Sequence, residues 1–310
     1  MAQGEDDGLL VPVVSPGDGL PGRVSPSQLS TYESCPLRYY FGTVLGWRER
    51  PTTWTVAGNL VHDTFEALYR LPAAERGPDR AAALLQQTAE STFAAPETAA
   101  FRTDTEVHHR AHSAVENLYL LESPTTLAVD GADLEAPVDA EVAGVRFGGR
   151  LDRLTRDPYL RLTDYKTGKR PQPGHLGKAL RQLFLYVVAL RAAGVVVAEV
   201  ELLYVVANAR VRRPVFPAVL ADTERALWRM RTASEADVER SAWQARKSPL
   251  CGFCAFKPVC PVFRTGGPVP GSPESDAVLA ERGLTRRSRP VPEPVEPDRD
   301  TSVDEAEAEA

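Results

Sequence analysis

Cysteine and lysine are both scarce in this chain of 310 residues, and no apolar run approaches the length of a membrane span. The opening MAQGEDDGLL is acidic and lacks the basic-then-apolar order of a secretory leader. A cytoplasmic location is therefore expected. Thiols stay reduced there, so disulfides are a poor use for the four cysteines. No Gly-x4-Gly-Lys-Ser/Thr phosphate loop occurs, which argues against an ATP-driven motor acting on its own. The chain does have apolar content, 43% of its residues, enough for one large domain or two coupled ones with a real core.

Of 36 basic residues only five are lysine, at positions 166, 169, 178, 247 and 257, so each lysine is less easily a chance occupant. The net charge of −6 conceals an uneven distribution. Residues 291–310 carry eight acids and one arginine, a net −7, and residues 1–20 carry a net −4. Removing both leaves +5 on residues 21–290, a mildly basic body compatible with nucleic acid. Residues 1–22 are acidic and contain Gly and Pro, and residues 265–310 hold Pro, Glu, Asp and Ala with few large apolar residues; both are expected to be disordered, leaving a domain over 23–264.

Within that domain the periodicity is legible. Ser25-Pro26-Ser27-Gln28 has the form of a capped helix start, and a helix is expected to about Phe41. Further helices are expected over Asn59–Leu71, Ala81–Phe93 and Thr105–Leu121, making residues 72–122 a helical insert. The period then shortens to two. Strands are expected over Leu134–Val142, Val145–Leu154 and Tyr159–Tyr165, with turns at Gly144 and Asp157-Pro158. A helix over Leu176–Ala192, strands over Glu199–Val206 and Val211–Phe216, and a long helix over Ala221–Arg246 complete an α/β order.

Asp152 and Asp164 fall on neighbouring strands. Alternation puts Asp164 and Lys166 on one face and turns Tyr165 away. Two carboxylates and an ammonium converging there suit Mg2+ or Mn2+, with the Tyr165 backbone carbonyl as a further oxygen donor. Such an ion can polarise a phosphodiester and lower the pKa of a water. An isolated Asp-x-Lys is usually a surface pair; a second Asp one hairpin away and the scarcity of lysine argue otherwise.

The cysteines are unevenly placed: Cys35 stands alone, and Cys251, Cys254 and Cys260 form Cys-x2-Cys-x5-Cys-Pro. Four thiolates satisfy tetrahedral zinc or a cubane cluster, and spacing alone does not choose between them. Either would clasp the start of the domain to its end, enclosing the acidic pair. Tyr32, Arg38, Tyr39, Tyr40, Phe41 and Arg48 beside Cys35 admit two readings: an aromatic core, or a surface stacking single-stranded DNA.

These motifs together resemble the RecB-type exonucleases of the PD-(D/E)XK superfamily, in their stand-alone iron–sulfur branch. The resemblance spans about residues 24–264. It rests on Gly149-Arg150-Leu151-Asp152-Arg153, on Asp164-Tyr165-Lys166-Thr167-Gly168, and on Gly58-Asn59-Leu60-Val61-His62. It rests also on Gln182-Leu183-Phe184-Leu185-Tyr186 and the segment around Cys35. It implies a core of helix, three strands, helix and strand. It implies His62, Asp152, Asp164 and Tyr165 as metal ligands, and Asp152, Asp164 and Lys166 as the catalytic set. Gln182 and Tyr186 are implied to bind DNA or support the site from behind. A 4Fe-4S cluster on Cys35, Cys251, Cys254 and Cys260 is implied as well, with a largely structural role. The implied activity is metal-dependent exonucleolytic cleavage of DNA, single-stranded by preference, in repair or recombination and beside a helicase or repair partner. Two neighbouring readings share these motifs. One is a CRISPR-adaptation nuclease, against which the insert at 72–122 argues. The other is a non-catalytic iron–sulfur DNA-binding subunit, against which the intact Asp152/Asp164/Lys166 set argues.

Overall fold

The computed structural model describes residues 8–14, 19–156 and 158–287. Asp157, half of the expected turn, and the acidic run at 291–310 lie outside the described residues.

The chain begins with a short strand, β1 (Leu9–Pro12), and then α1 (Pro26–Ser34). Ser25 and Gln28 form the reciprocal capping box that the sequence predicts. The helix does not run on to Phe41. Cys35 adopts an extended conformation (φ −163°, ψ 105°), because a residue preceding proline is pushed out of the helical region. Pro36 restarts the chain as α2 (Pro36–Tyr39), followed by a wide turn over Tyr40–Val44 and β2 (Trp47–Arg48). The first cysteine thus sits at a break between helices.

Three helices follow: α3 (Thr53–Tyr69), α4 (Pro78–Thr92) and α5 (Thr105–Leu121). α3 starts six residues before the expected Asn59, because Thr52 and Thr55 cap it reciprocally. Leu60, Val61, Thr64, Phe65 and Leu68 form its buried face. The sheet comes next: β3 (Leu134–Val142), β4 (Val145–Arg156), β5 (Leu160–Lys166), then α6 (Pro173–Ala192), β6 (Glu199–Tyr204) and β7 (Ala209–Pro214). The five strands lie in sequence order. β5 and β6 are parallel across the α6 crossover, and the other neighbours are antiparallel. Alternation along the strands fills both faces. Leu162 and Leu202 join the cluster containing α1 and α6, whereas Tyr165 and Leu203 join the one containing α3, α4 and α5. The mixed α/β sheet is consistent with the expected core of helix, three strands, helix and strand.

The last third departs from expectation. α7 (Pro217–Glu239) stops before Arg246; Ser241 takes a left-handed φ of +48°, and β8 (Ala242–Ala245) pairs antiparallel with β1. Trp243, fully buried against Tyr32, Tyr39 and Tyr40, draws this segment out of the helix. Described parts of both supposedly disordered ends are therefore structured. Val11 of β1 is buried. Past the cysteine loop, α8 (Pro273–Glu281) and β9 (Thr285–Arg286) fold back so that β9 pairs with β2. Buried Leu279 anchors that return, and Asp276 accepts hydrogen bonds from Trp47 Nε1 (3.2 Å) and Arg286 Nη1 (2.6 Å).

Candidate metal centre

The register of the sheet lines up three carboxylates. Leu134 pairs with Arg153 and Ala136 with Leu151, which sets Glu135 opposite Asp152. Arg153 pairs with Thr163, so Asp152 and Asp164 stand opposite one another one step beyond that pair. Glu135, Asp152 and Asp164 thus form a row across β3, β4 and β5. Like charges facing each other across strands destabilise a sheet, so such a row calls for cations.

Two cationic side chains meet it. Lys166, two residues along β5 from Asp164, places Nζ 2.7 Å from Asp164 Oδ2 and donates to Gln182 Oε1 of α6 at 3.2 Å. His62 arrives from α3. Its Nδ1 lies 3.4 Å from Asp152 Oδ2 and its Nε2 3.0 Å from the Tyr165 carbonyl. The Tyr165 amide donates to Asp152 Oδ2 at 2.7 Å, which fixes that carboxylate against the end of β5.

The titration behaviour follows from this crowding. Burial alone would lower the His62 pKa, but the hydrogen bond and charge of Asp152, aided by Asp164 and Glu135, push it up to about 9. Burial and then the Asp152 charge raise Glu135 to about 7. Burial also raises Asp164 despite Lys166 beside it. Lys166 would be depressed by burial, yet Asp164 holds its pKa above the ordinary value, so it stays an ammonium.

One ligand atom from each of His62, Glu135 and Asp152 lies within 4.8 Å of the others. A divalent ion would displace the His62 proton, and the imidazole nitrogen so freed joins the carboxylate oxygens as a donor set that the repulsion within the row fits. Asp164 stands outside this trio, engaged with Lys166. Glu135 is not among the residues that the sequence motifs single out. Its left-handed φ of +46°, unusual for a β-strand residue, is what the pattern cannot reveal.

The supporting residues sit behind this row. Tyr186 is buried and donates to the Arg150 carbonyl at 2.7 Å, and a Cβ on Gly149 would lie 2.7 Å from the Tyr186 hydroxyl. The glycine of the Gly-Arg-Leu-Asp-Arg strand is therefore required by a close approach. Gly58 has a similar reason, since a Cβ there would lie 3.3 Å from Thr167 Oγ1. Arg153, 1% exposed, is held bidentate by Glu122 at 2.6 and 2.7 Å and lies over the Tyr69 and Tyr165 rings. No sequence signal links Glu122 to Arg153, 31 positions away.

Cys35, Cys251, Cys254 and Cys260 line one cavity with Phe41 and Phe256. Burial raises the thiol pKa values of Cys254 and Cys260, and for Cys260 the other three cysteines add to the effect. The aromatics beside Cys35 belong to the core. Tyr32, Tyr39, Tyr40 and Phe41 are buried, and Phe41 stacks on Phe256 at 4.9 Å. Arg38 is engaged by Glu49 at 2.9 Å.

Comparison with known proteins agrees with this geometry. A solved structure from Eubacterium rectale, named as a candidate exonuclease, is 12% identical. It aligns over 75% of this chain and 88% of its own, with a TM-score of 0.51, which speaks to the fold alone. A second, SSO0001, is 16% identical over 77% of this chain and 97% of its own; its TM-score of 0.31 carries no argument. No curated protein matches the chain. The profile of the PD-(D/E)XK nuclease superfamily matches residues 23–261, three-quarters of the length and the whole of the acidic row with its histidine and lysine, and the chain belongs to that superfamily.

Proposed function

We propose that this protein is a Mg2+- or Mn2+-dependent exonuclease that hydrolyses phosphodiester bonds of single-stranded DNA. The observation that carries the reading is the row Glu135–Asp152–Asp164 capped by His62 and Lys166. Asp152, Asp164, His62 and the Tyr165 carbonyl would hold the cation, with Glu135 as a further donor. A bound cation supplies Lewis-acid polarisation of the phosphate and a more acidic water.

The chain's own groups do the rest. Lys166 has three donors, of which Asp164 and Gln182 occupy two. The third is left to orient the attacking water or to offset charge on the phosphate. Asp164 holds the Lys166 pKa above its ordinary value, which suits Lys166 to a cationic part in the reaction. Tyr186, by gripping the Arg150 carbonyl, keeps β4 and hence Asp152 in place. As the water oxygen bonds to phosphorus and gives up a proton to solvent, the P–O bond to the leaving oxygen breaks and that oxygen takes a proton from solvent.

Support for a nucleic-acid strand comes from a groove whose lining includes Arg23, Arg38, Arg48 and Arg287, together with Glu49, Gly148, Gly149 and Phe256. It joins β4, three residues from Asp152, to Phe256 of the cysteine loop, and its excess of arginine suits a phosphate backbone. The four cysteines are proposed to hold a 4Fe-4S cluster whose binding energy adds to folding energy. The setting proposed is cytoplasmic DNA repair or recombination, with a helicase or repair protein as partner. Among the described residues no helix is long and apolar enough to cross a membrane.

The test is cleavage of end-labelled single-stranded DNA by protein purified without oxygen. Wild type should cut with Mg2+ or Mn2+ and stop on chelation, and Asp164→Ala should be inactive. A wild type that does not cut ends the enzyme reading in favour of a non-catalytic DNA-binding subunit. An Asp164→Ala protein that cuts equally well ends the site assignment.

A further inference from the structure

Trp54 lies in the first turn of α3, and Trp54, Gly58 and His62 recur every fourth residue along one face of that helix. Eight residues of helix put the backbone positions of Trp54 and His62 about 12 Å apart along the axis. This face runs against the end of β5, where Gly58 approaches Thr167.

Trp47 and Trp243 are buried, but Trp54 is 53% exposed. One face of its ring is covered: the Arg110 guanidinium carbon, from α5, lies 3.4 Å from the ring centroid. Arg110 is itself fixed. The Glu106 carboxylate stands 2.7 Å from its Nε, and its Nη1 donates to the Thr167 carbonyl at 3.3 Å. Thr53 Oγ1 donates to Asp104, the N-cap of α5, at 2.8 Å, which ties the two helix starts together. The indole is therefore a rigid plate. A cation backs it, the backing is anchored to the loop that follows Lys166, and the other side is open.

We propose that the open face of Trp54 is a base-stacking subsite, holding the nucleobase of a nucleotide near the scissile phosphate. The proposal takes its ligand class from the nuclease reading above. Sugar and phosphate offer no π-face, whereas every base does, so such a plate grips a strand without reading its sequence. Ring and guanidinium are fixed before binding, so little side-chain freedom is lost when a base arrives. Arg110 holds Trp54 by cation–π contact, with its own charge met by Glu106.

The experiment measures equilibrium binding of the full-length protein in EDTA, where no cutting occurs. Fluorescence anisotropy compares a short oligothymidylate with an abasic strand of the same length. Wild type should prefer the strand with bases. Trp54→Ala should shrink that preference roughly 5- to 150-fold and leave binding of the abasic strand unchanged. Trp54→Phe should retain most of the preference. Trp228→Ala, equally exposed on α7, should change nothing. A preference undiminished in Trp54→Ala, an equal loss on both strands, or no binding of oligothymidylate by wild type overturns the subsite. Cleavage assayed separately keeps the two readings apart. A wild type that binds with the expected preference and does not cut removes the nuclease reading and leaves the subsite standing. One that cuts with no Trp54-dependent preference does the reverse.

Discussion

Glu122→Gln tests the frame beneath the acidic row. Arg153 follows Asp152 in β4 and is sealed from solvent; its charge is met by the two Glu122 oxygens at 2.6 and 2.7 Å, and the Tyr69 hydroxyl also donates to Glu122. Neutralising Glu122 leaves a buried guanidinium without its counter-ion, a change that costs about 3–5 kcal/mol. For a domain of this size each kcal/mol moves the melting temperature by about 2–4 °C, so a fall of roughly 6–20 °C is expected in a thermal melt followed by tryptophan fluorescence. Because the Arg153 guanidinium also lies over the Tyr165 ring, next to Asp164, cleavage should weaken with it. Replacing both partners by apolar residues, Glu122→Leu with Arg153→Met, should recover most of the loss, since the pair's desolvation cost goes with it. The pH dependence has a definite sign. Burial pushes the Glu122 pKa up, but Arg153 and Tyr69 outweigh it and hold the carboxyl below its ordinary value. The stabilisation is therefore complete above the unfolded-state value near about 4.3 and is lost as pH falls through the lower folded value. The gap between wild type and Glu122→Gln should be flat between about pH 6 and 8 and should narrow below about pH 4. A fall of less than about 2 °C at neutral pH, or a gap that persists unchanged in acid, would refute the reasoning.

Other outcomes follow from single contacts. Gln182→Ala removes one of the two anchors of Lys166 and should lower kcat about 2- to 12-fold with KM unchanged, the worth of one hydrogen bond; a raised KM alone would instead put Gln182 on the substrate. Gly149→Ala forces a methyl group against the Tyr186 hydroxyl and should cost about 1–3 kcal/mol, read as a lower melting temperature; Gly149→Ala combined with Tyr186→Phe should not be restored, because the ring carbons stand as close as the oxygen. Cys→Ser at any of the four cysteines should remove the brown absorbance of anaerobically purified protein, whereas Asp164→Ala should leave it. A colourless wild type containing zinc would overturn the cluster and spare the acidic row.

The strands, the two aspartates and the lysine were legible because alternation and turn residues act locally. Leu162 and Tyr165 sort to opposite faces as their spacing dictates. The break at Cys35 was written in the Cys35-Pro36 step, yet a strong capping box upstream hid it. The start of α3 was missed because a Thr-Thr capping box carries a weaker compositional mark than Ser with Gln. The helix beyond the cysteine loop has a Ser272 cap and Pro273 start like those of α1, but few large apolar residues to announce burial. Buried Leu279, the Asp276 contacts and the β2–β9 ladder hold it. Glu135, Glu122 and the Trp54–Arg110 stack depend on register, on a left-handed backbone and on packing between distant helices, none of which leaves a periodic trace.

The two short ladders that fasten the chain ends set the smallest piece of this protein that can be handled alone. The superfamily match runs from residue 23 to 261, so it contains one strand of each ladder, β8 and β2, and leaves out the partners β1 and β9. A chain trimmed to those limits would lose β1, α8 and β9 together. Ala242–Ala245 would become a bare edge with unpaired amides and carbonyls, the Trp47 indole would lose Asp276, and Leu279 would no longer cover the core. Exposed edges of that kind invite association between copies. Such a fragment should aggregate where a chain of residues 8–287 stays monodisperse by size-exclusion chromatography, so the boundary of the family is not the boundary of the folding unit.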